Sequence, residues 1–174
     1  MALSRTDISD GLVDELQAFE QLVRSLTPAE LDSPTRCAGW TVGDVARHVI
    51  GSMADVTAGR LDGLGTPEVT AHEVSERAGR GGYDGTLGQG VEALWYDTWL
   101  HGDDIRHSIG HSPEIGNGIR AALSHVEFEL RKRDWSGPVP ALGVPDAFGF
   151  ILAATGRVPA ASFGAQAPID IYAA

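Results

Sequence analysis

Four stretches of this sequence repeat apolar residues at helical spacing, and this periodicity restricts the possible folds more than any other feature. Apolar residues recurring every three or four positions form one stripe on a helix and leave polar residues on the opposite face. The pattern predicts long helices at 6–26, 41–60, 86–108 and 114–133, and a short one at 145–153. Such helices bury their stripes against one another, so the expected fold is an all-α four-helix bundle.

The organisation that we expect is a helical bundle at 1–136 and a short C-terminal extension at 137–174 that packs on it. Glycines and prolines after residue 136 indicate the loop between them. Part of the extension, 163–172, is interpreted as a short extended segment. A glycine-rich segment at 79–90 leads into the third long helix, and we expect it to be more mobile than the helices and to border a site. A short helix is also possible at 68–78.

Composition and charge exclude several classes of protein. The 174 residues carry a formal net charge of -11 with only 13 Lys and Arg, which argues against a phosphate-binding surface and therefore against nucleic acid as a partner. A single cysteine, Cys37, excludes an internal disulfide. No stretch is apolar enough to cross a membrane. We expect a cytoplasmic protein, monomeric or homodimeric, that acts on a small molecule.

The stretch from Thr35 to His48 reads as a loop that feeds a helix. Thr41 is a suitable N-cap, and Asp44 three residues later completes an Asp version of the capping box. The next residues predict a buried stripe made of Val42, Val45 and Val49, which Met53 extends by one turn. His48 lies near this stripe rather than opposite it, and a histidine on the inner side of a helix requires a partner.

Candidate partners for His48 occur in the third long helix. Asp97 and His101 are four residues apart, so their side chains lie on one helical face, and Asp104 continues that face. Such a pair can chelate a divalent metal, with His48 as a third ligand from another helix. Two imidazoles and a carboxylate suit zinc, nickel or ferrous iron, and three protein ligands leave an open coordination position. The alternative is a surface hydrogen bond, which is the usual role of an isolated pair at this spacing.

Residues 37–48, Cys-Ala-Gly-Trp-Thr-Val-Gly-Asp-Val-Ala-Arg-His, resemble the opening signature of the mycothiol-dependent maleylpyruvate isomerase family. A second family element, a carboxylate followed by histidine at the fourth position and Asp three further on, is similar to residues 97–104. The resemblance covers about 8–133, and more loosely the Gly156–Arg157 region. It implies a shortened member of the DinB-like metal-binding four-helix bundles.

The resemblance also implies a site and an activity. The family's metal ligands fall on His48, Asp97 and His101, with zinc the expected ion. An open metal position can hold a thiol such as mycothiol as its thiolate, which adds to an electrophilic carbon for isomerisation or for thiol transfer. Alternatively, the metal polarises a substrate carbonyl directly. Two other functions remain open: a thiol-independent isomerase, cyclase or lyase of specialised metabolism, and a non-catalytic binding protein with the same fold.

Several further residues have two interpretations each. Asp104 either orients His101 or solvates the helix. Arg106 either binds a substrate carboxylate or forms an ion pair with Asp103 or another surface acid. Trp40 either lines the substrate site or belongs to the core, and Cys37 is interpreted as a small loop residue rather than a nucleophile. The remaining histidines are expected to be exposed to solvent: His72, His107, His111 and His125.

Overall fold

The computed structural model describes residues 3–60, 87–143 and 146–173, and all its regular structure is helical. Within these ranges there is no β-strand, only an isolated bridge between Pro34 and Thr41. The prediction of an all-α fold is confirmed. The helices are α1 (Arg5–Ser25), α2 (Pro28–Leu31), α3 (Val42–Thr57), α4 (Leu87–Ser108), α5 (Gly118–Lys132), α6 (Asp146–Ala154) and a 3-10 helix (Ala160–Gln166).

Helix α4 is the central element, because it contacts each of the other long helices, α1, α3 and α5. One hydrophobic cluster joins α4 to α3 and the C-terminal half of α1. A larger cluster joins α4 to α1, α5 and α6, so residues on both sides of the predicted boundary at 136 share it. The first cluster is built around Phe19, Leu22, Val42, Val45, Val49 and Ile105. The second is built around Trp95, Trp99, Leu100, Ala121, Val126, Leu130, Phe150, Ile151 and Ile171.

Two glycines on neighbouring helices make room for the tryptophans of α4. A Cβ atom on Gly11 of α1 would lie 2.2 Å from the ring of Trp95. A Cβ atom on Gly118 at the start of α5 would lie 2.2 Å from the ring of Trp99. Side chains at these two positions would overlap the indoles, so both glycines set how closely α1 and α5 approach α4.

Two predicted boundaries are wrong. Helix α5 begins at Gly118 rather than near residue 114, because the indole of Trp99 donates a hydrogen bond of 2.8 Å to the carbonyl of Ile115 and holds that residue in a loop. The tail predicted as extended at 163–172 instead contains the end of the 3-10 helix and then irregular chain. Ile171 secures it through a 2.8 Å bond from its N–H to the carbonyl of Ala154.

The possible helix at 68–78 lies outside the described ranges, as does the glycine-rich segment up to residue 86. The described chain resumes with α4 at Leu87. No helix in the described ranges combines the length and the apolar composition needed to span a bilayer.

Glu15 of α1 is a titratable group set in the packing between α1 and α4. Its carboxylate accepts a long hydrogen bond of 3.4 Å from the indole N–H of Trp95. Burial raises the pKa of Glu15 to about 7; the Trp95 bond and Arg106 oppose this shift, and Glu114 and Asp14 add to it. The ordinary pKa is 4.5, so between about pH 4.5 and 7 the native state binds more protons than the unfolded state. The free energy of unfolding therefore falls as the pH rises through this window.

We expect Glu15→Gln to remove this pH dependence, because the amide keeps the shape of the side chain without the charge. At pH 8 the variant should be more stable than wild type by about 1–3 kcal/mol, and the difference should vanish near pH 4. Urea unfolding of both proteins across this range measures it. Glu20→Gln, an exposed change on the same helix, is the control. A constant difference between Glu15→Gln and wild type at all pH values would contradict the expectation.

Candidate metal centre

The start of α3 is fixed by the capping predicted from the sequence. The Thr41 hydroxyl accepts a bond of 3.2 Å from the N–H of Asp44, and the Asp44 carboxylate accepts one of 2.9 Å from the N–H of Thr41. The preceding loop turns at Gly39, whose φ of +83° is a conformation that glycine adopts without strain. With the first turn set in this way, the buried stripe of α3 faces α4 and carries His48 with it; only 6% of His48 is exposed.

Three side chains from α3 and α4 converge where the two helices face each other. His48 Nε2 lies 3.3 Å from Asp97 Oδ2, and His101 Nε2 lies 3.5 Å from Asp97 Oδ1. One ligand atom from each of the three residues lies within 4.8 Å of the others. The structure therefore brings together the three residues that the resemblance named as ligands. Asp97 is the most accessible of them, with 28% of its side chain exposed.

The donor set and its spacing fit a divalent cation. In a tetrahedral site with bonds of about 2.1 Å, neighbouring ligand atoms lie about 3.4 Å apart. The two nitrogen–oxygen separations, 3.3 and 3.5 Å, run to the two different oxygens of Asp97 and are close to this value. Burial opposes ionisation of Asp97, but His101 and His48 outweigh it and lower the pKa of the carboxyl to about 2. The carboxylate is therefore anionic at neutral pH, as a ligand must be.

Asp104 holds His101 in the orientation that a metal ligand needs. Its Oδ2 lies 3.0 Å from His101 Nδ1. A carboxylate can only accept a hydrogen bond, so Nδ1 carries a proton, and Nε2, the atom that faces Asp97, is the one that could bind a metal. Of the two interpretations of Asp104 from the sequence, the structure supports the orienting one. The side chain is fully buried, which rules out a role in solvating the helix.

The carboxylate of Asp104 is also the centre of an ion-pair network that sequence reasoning missed. Arg157 binds it through two bonds of 3.1 and 2.8 Å, and Arg36 through two bonds of 3.1 and 2.9 Å to a single oxygen. Arg36 also pairs with Asp103. Burial opposes the charge on Asp104, but His101 and Arg157 outweigh it and keep the pKa of the carboxyl well below its usual range. The network ties the loop before α3 and the chain after α6 to α4.

The sequence feature that could have pointed to the position of Arg157 is the way in which α6 ends. Gly156 has a φ of +71°, and the N–H of Arg157 bonds back to the carbonyl of Leu152 at 2.8 Å, as in a Schellman motif. This cap turns the chain so that Arg157 reaches the carboxylate of Asp104. Glycine followed by arginine after an apolar helix is visible in the sequence, but the acid that the arginine meets is 53 residues away.

A second group of potential metal ligands shares His101. It contains Cys37, whose sulfur lies 3.3 Å from Asp104 Oδ2 and 3.9 Å from His101 Nδ1. This group is the poorer cation site for two reasons. Its carboxylate, Asp104, is already neutralised by two guanidinium groups, and its thiol is protonated, because burial and the nearby Asp104 raise the pKa of Cys37 to about 12.

We expect the Cys37 thiol to react slowly in the native protein. At pH 8 the fraction present as thiolate is far smaller than for a free cysteine, and the thiolate is the reactive form. Alkylation by iodoacetamide, followed by intact mass, should be at least about 100-fold slower in native protein than in urea-unfolded protein. Modification at the same rate in both states would show that the sulfur is not held in this way.

Of the two other residues that the sequence suggested for the site, Trp40 lies there and Arg106 lies elsewhere. The indole of Trp40 lines it, with ring centroids 5.3 Å from His48 and 6.3 Å from His101. Arg106 does not reach the site: it pairs with Glu114, because five residues beyond His101 the helix has turned about 140°. Of the two interpretations of Arg106 from the sequence, the ion pair with a surface acid is the contact that the structure shows.

The prediction of exposed histidines is correct for two of the four. His107 and His111 are exposed, and His72 lies outside the described ranges. His125 was predicted wrongly, because its ring stacks on Tyr96 with centroids 4.3 Å apart and planes 19° from parallel. Burial lowers the pKa of His125, which keeps the imidazole neutral at pH 7.

Comparison with known proteins identifies the first part of this structure. Residues 12–84 match the family described as the mycothiol maleylpyruvate isomerase N-terminal domain. The match contains the capped start of α3 and His48, whereas Asp97 and His101 lie beyond its end. No curated protein and no solved structure gave a significant match. With its helical fold and the match that spans the His48 signature, the chain is similar to the mycothiol maleylpyruvate isomerase N-terminal domain over residues 12–84.

Proposed function

We propose that this protein is a divalent-metal-dependent enzyme that uses a small-molecule thiol to isomerise, or to add to, a small electrophilic metabolite. The observation that carries the proposal is the convergence of two imidazole Nε2 atoms on one carboxylate, at 3.3 and 3.5 Å from its two oxygens, with the second histidine held by a buried carboxylate. Zinc is the ion that we favour, because two nitrogens, one oxygen and an open position suit it.

When bound, the cation would supply Lewis acidity, which stabilises a thiolate or polarises a carbonyl near neutral pH. The protein supplies the arrangement. Asp104 fixes the ring of His101, Trp40 covers one side of the two imidazoles, and Asp97 contributes the negative charge. The partial exposure of Asp97 leaves an approach for a ligand from solvent.

The cysteine of this protein is not suited to act as the nucleophile. Cys37 is protonated and lies within hydrogen-bonding distance of Asp104, on the side of His101 that carries Nδ1 rather than Nε2. A thiol mechanism at this site therefore requires a thiol from outside the chain. Mycothiol, which the family description names, is the candidate that we propose.

The thiol chemistry balances without a further reactant. When bound, the thiol would supply a nucleophile for one carbon of a cis double bond conjugated to a carbonyl, with a C–S bond forming and the π electrons moving to the carbonyl oxygen. Rotation about the resulting single bond, followed by the reverse movement of electrons, would release the thiolate and leave the trans alkene. In a transferase reaction, a proton adds to the neighbouring carbon instead and the thioether persists. A site that stabilises the intermediate oxyanion would accelerate either outcome.

Turnover of maleylpyruvate by the zinc-loaded protein, with and without mycothiol, tests the proposal. We expect cis-to-trans conversion, followed by proton NMR, only when the thiol is present. The His48→Ala variant should be inactive, and the His107→Ala variant, altered at an exposed histidine of α4, should match wild type. Conversion at the same rate without thiol would overturn the thiol-dependent mechanism in favour of a thiol-independent enzyme. Thioether formation would identify a transferase.

A further inference from the structure

The carboxylate of Asp104 lies between one of the three candidate metal ligands and the C-terminal chain. Its Oδ2 lies 3.0 Å from His101 Nδ1, and Nη2 of Arg157 donates a hydrogen bond to the same oxygen at 2.8 Å. Its Oδ1 accepts a second bond from Arg157, from Nε at 3.1 Å. One guanidinium group therefore binds both oxygens of the carboxylate that holds His101.

Arg36 binds the same carboxylate in a different way. Its Nε and Nη2 both donate to Oδ1 of Asp104, at 3.1 and 2.9 Å, and its Nη2 also pairs with Asp103. A contact with one oxygen neutralises the charge but lets the carboxylate turn about that oxygen, whereas a fork that binds both oxygens fixes its plane. Of the two arginines, Arg157 is therefore the one that fixes where Oδ2 lies.

The guanidinium group of Arg157 is itself held in place. Its Nη1 donates a bond of 2.9 Å to the carbonyl of Thr155, so each of its three nitrogens has an acceptor, and its side chain is 9% exposed. The C-terminal chain packs on the turn that aims this arginine, since a Cβ atom at Gly156 would lie 2.6 Å from Asp170 Oδ2. The direction of Arg157 therefore depends on a turn against which the C-terminal chain is docked.

The direction of the His101 ring depends in turn on where Oδ2 of Asp104 lies. The ring donates from Nδ1 to this oxygen, and Nε2, on the other side of the ring, lies 3.5 Å from Asp97 Oδ1. A metal bond requires the lone pair of the ligating nitrogen to point at the cation, and the hydrogen bond at the other nitrogen sets this direction. A displaced Oδ2 would turn Nε2 away from the position that it shares with His48 and Asp97.

We propose that Arg157 is a positioning residue of the metal centre, which acts through Asp104 to aim His101 Nε2 at the cation and so raises the affinity of the site for it. This inference rests on the proposed function, since it requires a divalent cation at the His48–Asp97–His101 site. It gives the C-terminal extension a part in metal binding, although the three ligands come from α3 and α4.

Arg157→Met and Arg36→Met form a matched pair of variants, because each removes one guanidinium group from the same carboxylate. Loss of a nearby positive charge favours a bound cation, so an effect of charge alone would tighten Co²⁺ binding in both variants. Positioning predicts the opposite for one of them. We expect Arg157→Met to raise the dissociation constant of Co²⁺, followed by the visible spectrum of the bound ion, about fivefold to tenfold. Arg36→Met should leave this constant unchanged or lower it.

Arg157→Lys separates the charge of the side chain from its fork. Lysine keeps the positive charge but is a single point of donation, so we expect this variant also to weaken Co²⁺ binding, by at least about threefold. A second measurement needs no metal. In NMR spectra of the metal-free protein, the Nδ1–H resonance of His101, assigned by its absence from His101→Ala, should move upfield or be lost through exchange in Arg157→Met. It should not move upfield in Arg36→Met.

Unchanged Co²⁺ binding by Arg157→Met, or equal effects of Arg157→Met and Arg36→Met, would overturn the proposal, because the arginines would then only balance the charge of Asp104. Wild-type affinity in Arg157→Lys would do the same. In each case a wild-type protein that binds Co²⁺ through His48 would leave the proposed function intact. Failure of the wild-type protein to bind Co²⁺ would instead overturn the proposed function, and this inference with it.

Discussion

Replacing Asp104 with alanine is expected to lower the free energy of unfolding by about 3–5 kcal/mol. The carboxylate is fully buried and compensates two guanidinium groups, those of Arg36 and Arg157, whose side chains are 14% and 9% exposed. Without it, two buried positive charges lose their main partner and the N–H of His101 loses its acceptor. The cost of uncompensated buried charge exceeds the value of the pair itself.

Urea unfolding in the presence of a chelator measures this effect apart from any bound metal. The control is Glu20→Ala, which breaks an ion pair with Arg24 whose side chains are 59% and 76% exposed, and which should cost less than about 1 kcal/mol. A midpoint for Asp104→Ala close to that of the control would mean that the network around Asp104 does not hold the loop and the C-terminal chain to α4.

Replacing His48 or His101 with alanine is expected to weaken zinc binding by at least about 100-fold while the fold persists. Loss of a residue that only orients a ligand costs about 10–100-fold in affinity, so loss of a ligand should cost more. The helices pack through two large apolar clusters, so we expect the fold to persist without the metal. A zinc finger, by contrast, is unfolded without its ion.

Competition with a chromophoric chelator measures the affinities, and circular dichroism melts report the fold. The matched control is His107→Ala, which removes an exposed histidine from the same helix as His101. Wild-type zinc affinity in either His48→Ala or His101→Ala would remove that residue from the ligand set. Loss of helicity at room temperature in the variants would show that the metal stabilises the fold instead.

The sequence was sufficient for the features that depend on local spacing. The capping of α3 by Thr41 and Asp44 is set within four residues, and the shared face of Asp97 and His101 follows from the helical repeat. In a bundle, α3 and α4 turn their apolar stripes inward, and this arrangement predicts that His48 approaches the face of Asp97 and His101.

Features that depend on tertiary contacts could not be predicted in this way. Asp104 meets Arg36 and Arg157 across 68 and 53 residues, and no periodicity specifies which buried acid a distant arginine will reach. The sequence shows no matching partner for His125 and so predicts exposure, but a tyrosine from α4 stacks on it. The pairing of the Tyr172 hydroxyl with that of Tyr96 likewise depends on how the C-terminal chain docks.

The central claim is that His48, Asp97 and His101 hold one divalent cation, and anomalous diffraction from crystals of the zinc-loaded protein tests it most directly. The account predicts a single strong peak at the zinc edge between His48 Nε2, His101 Nε2 and the Asp97 carboxylate, at about 2.0–2.2 Å from each ligand atom. A peak beside Cys37 and Asp104, or no peak between α3 and α4, would contradict it.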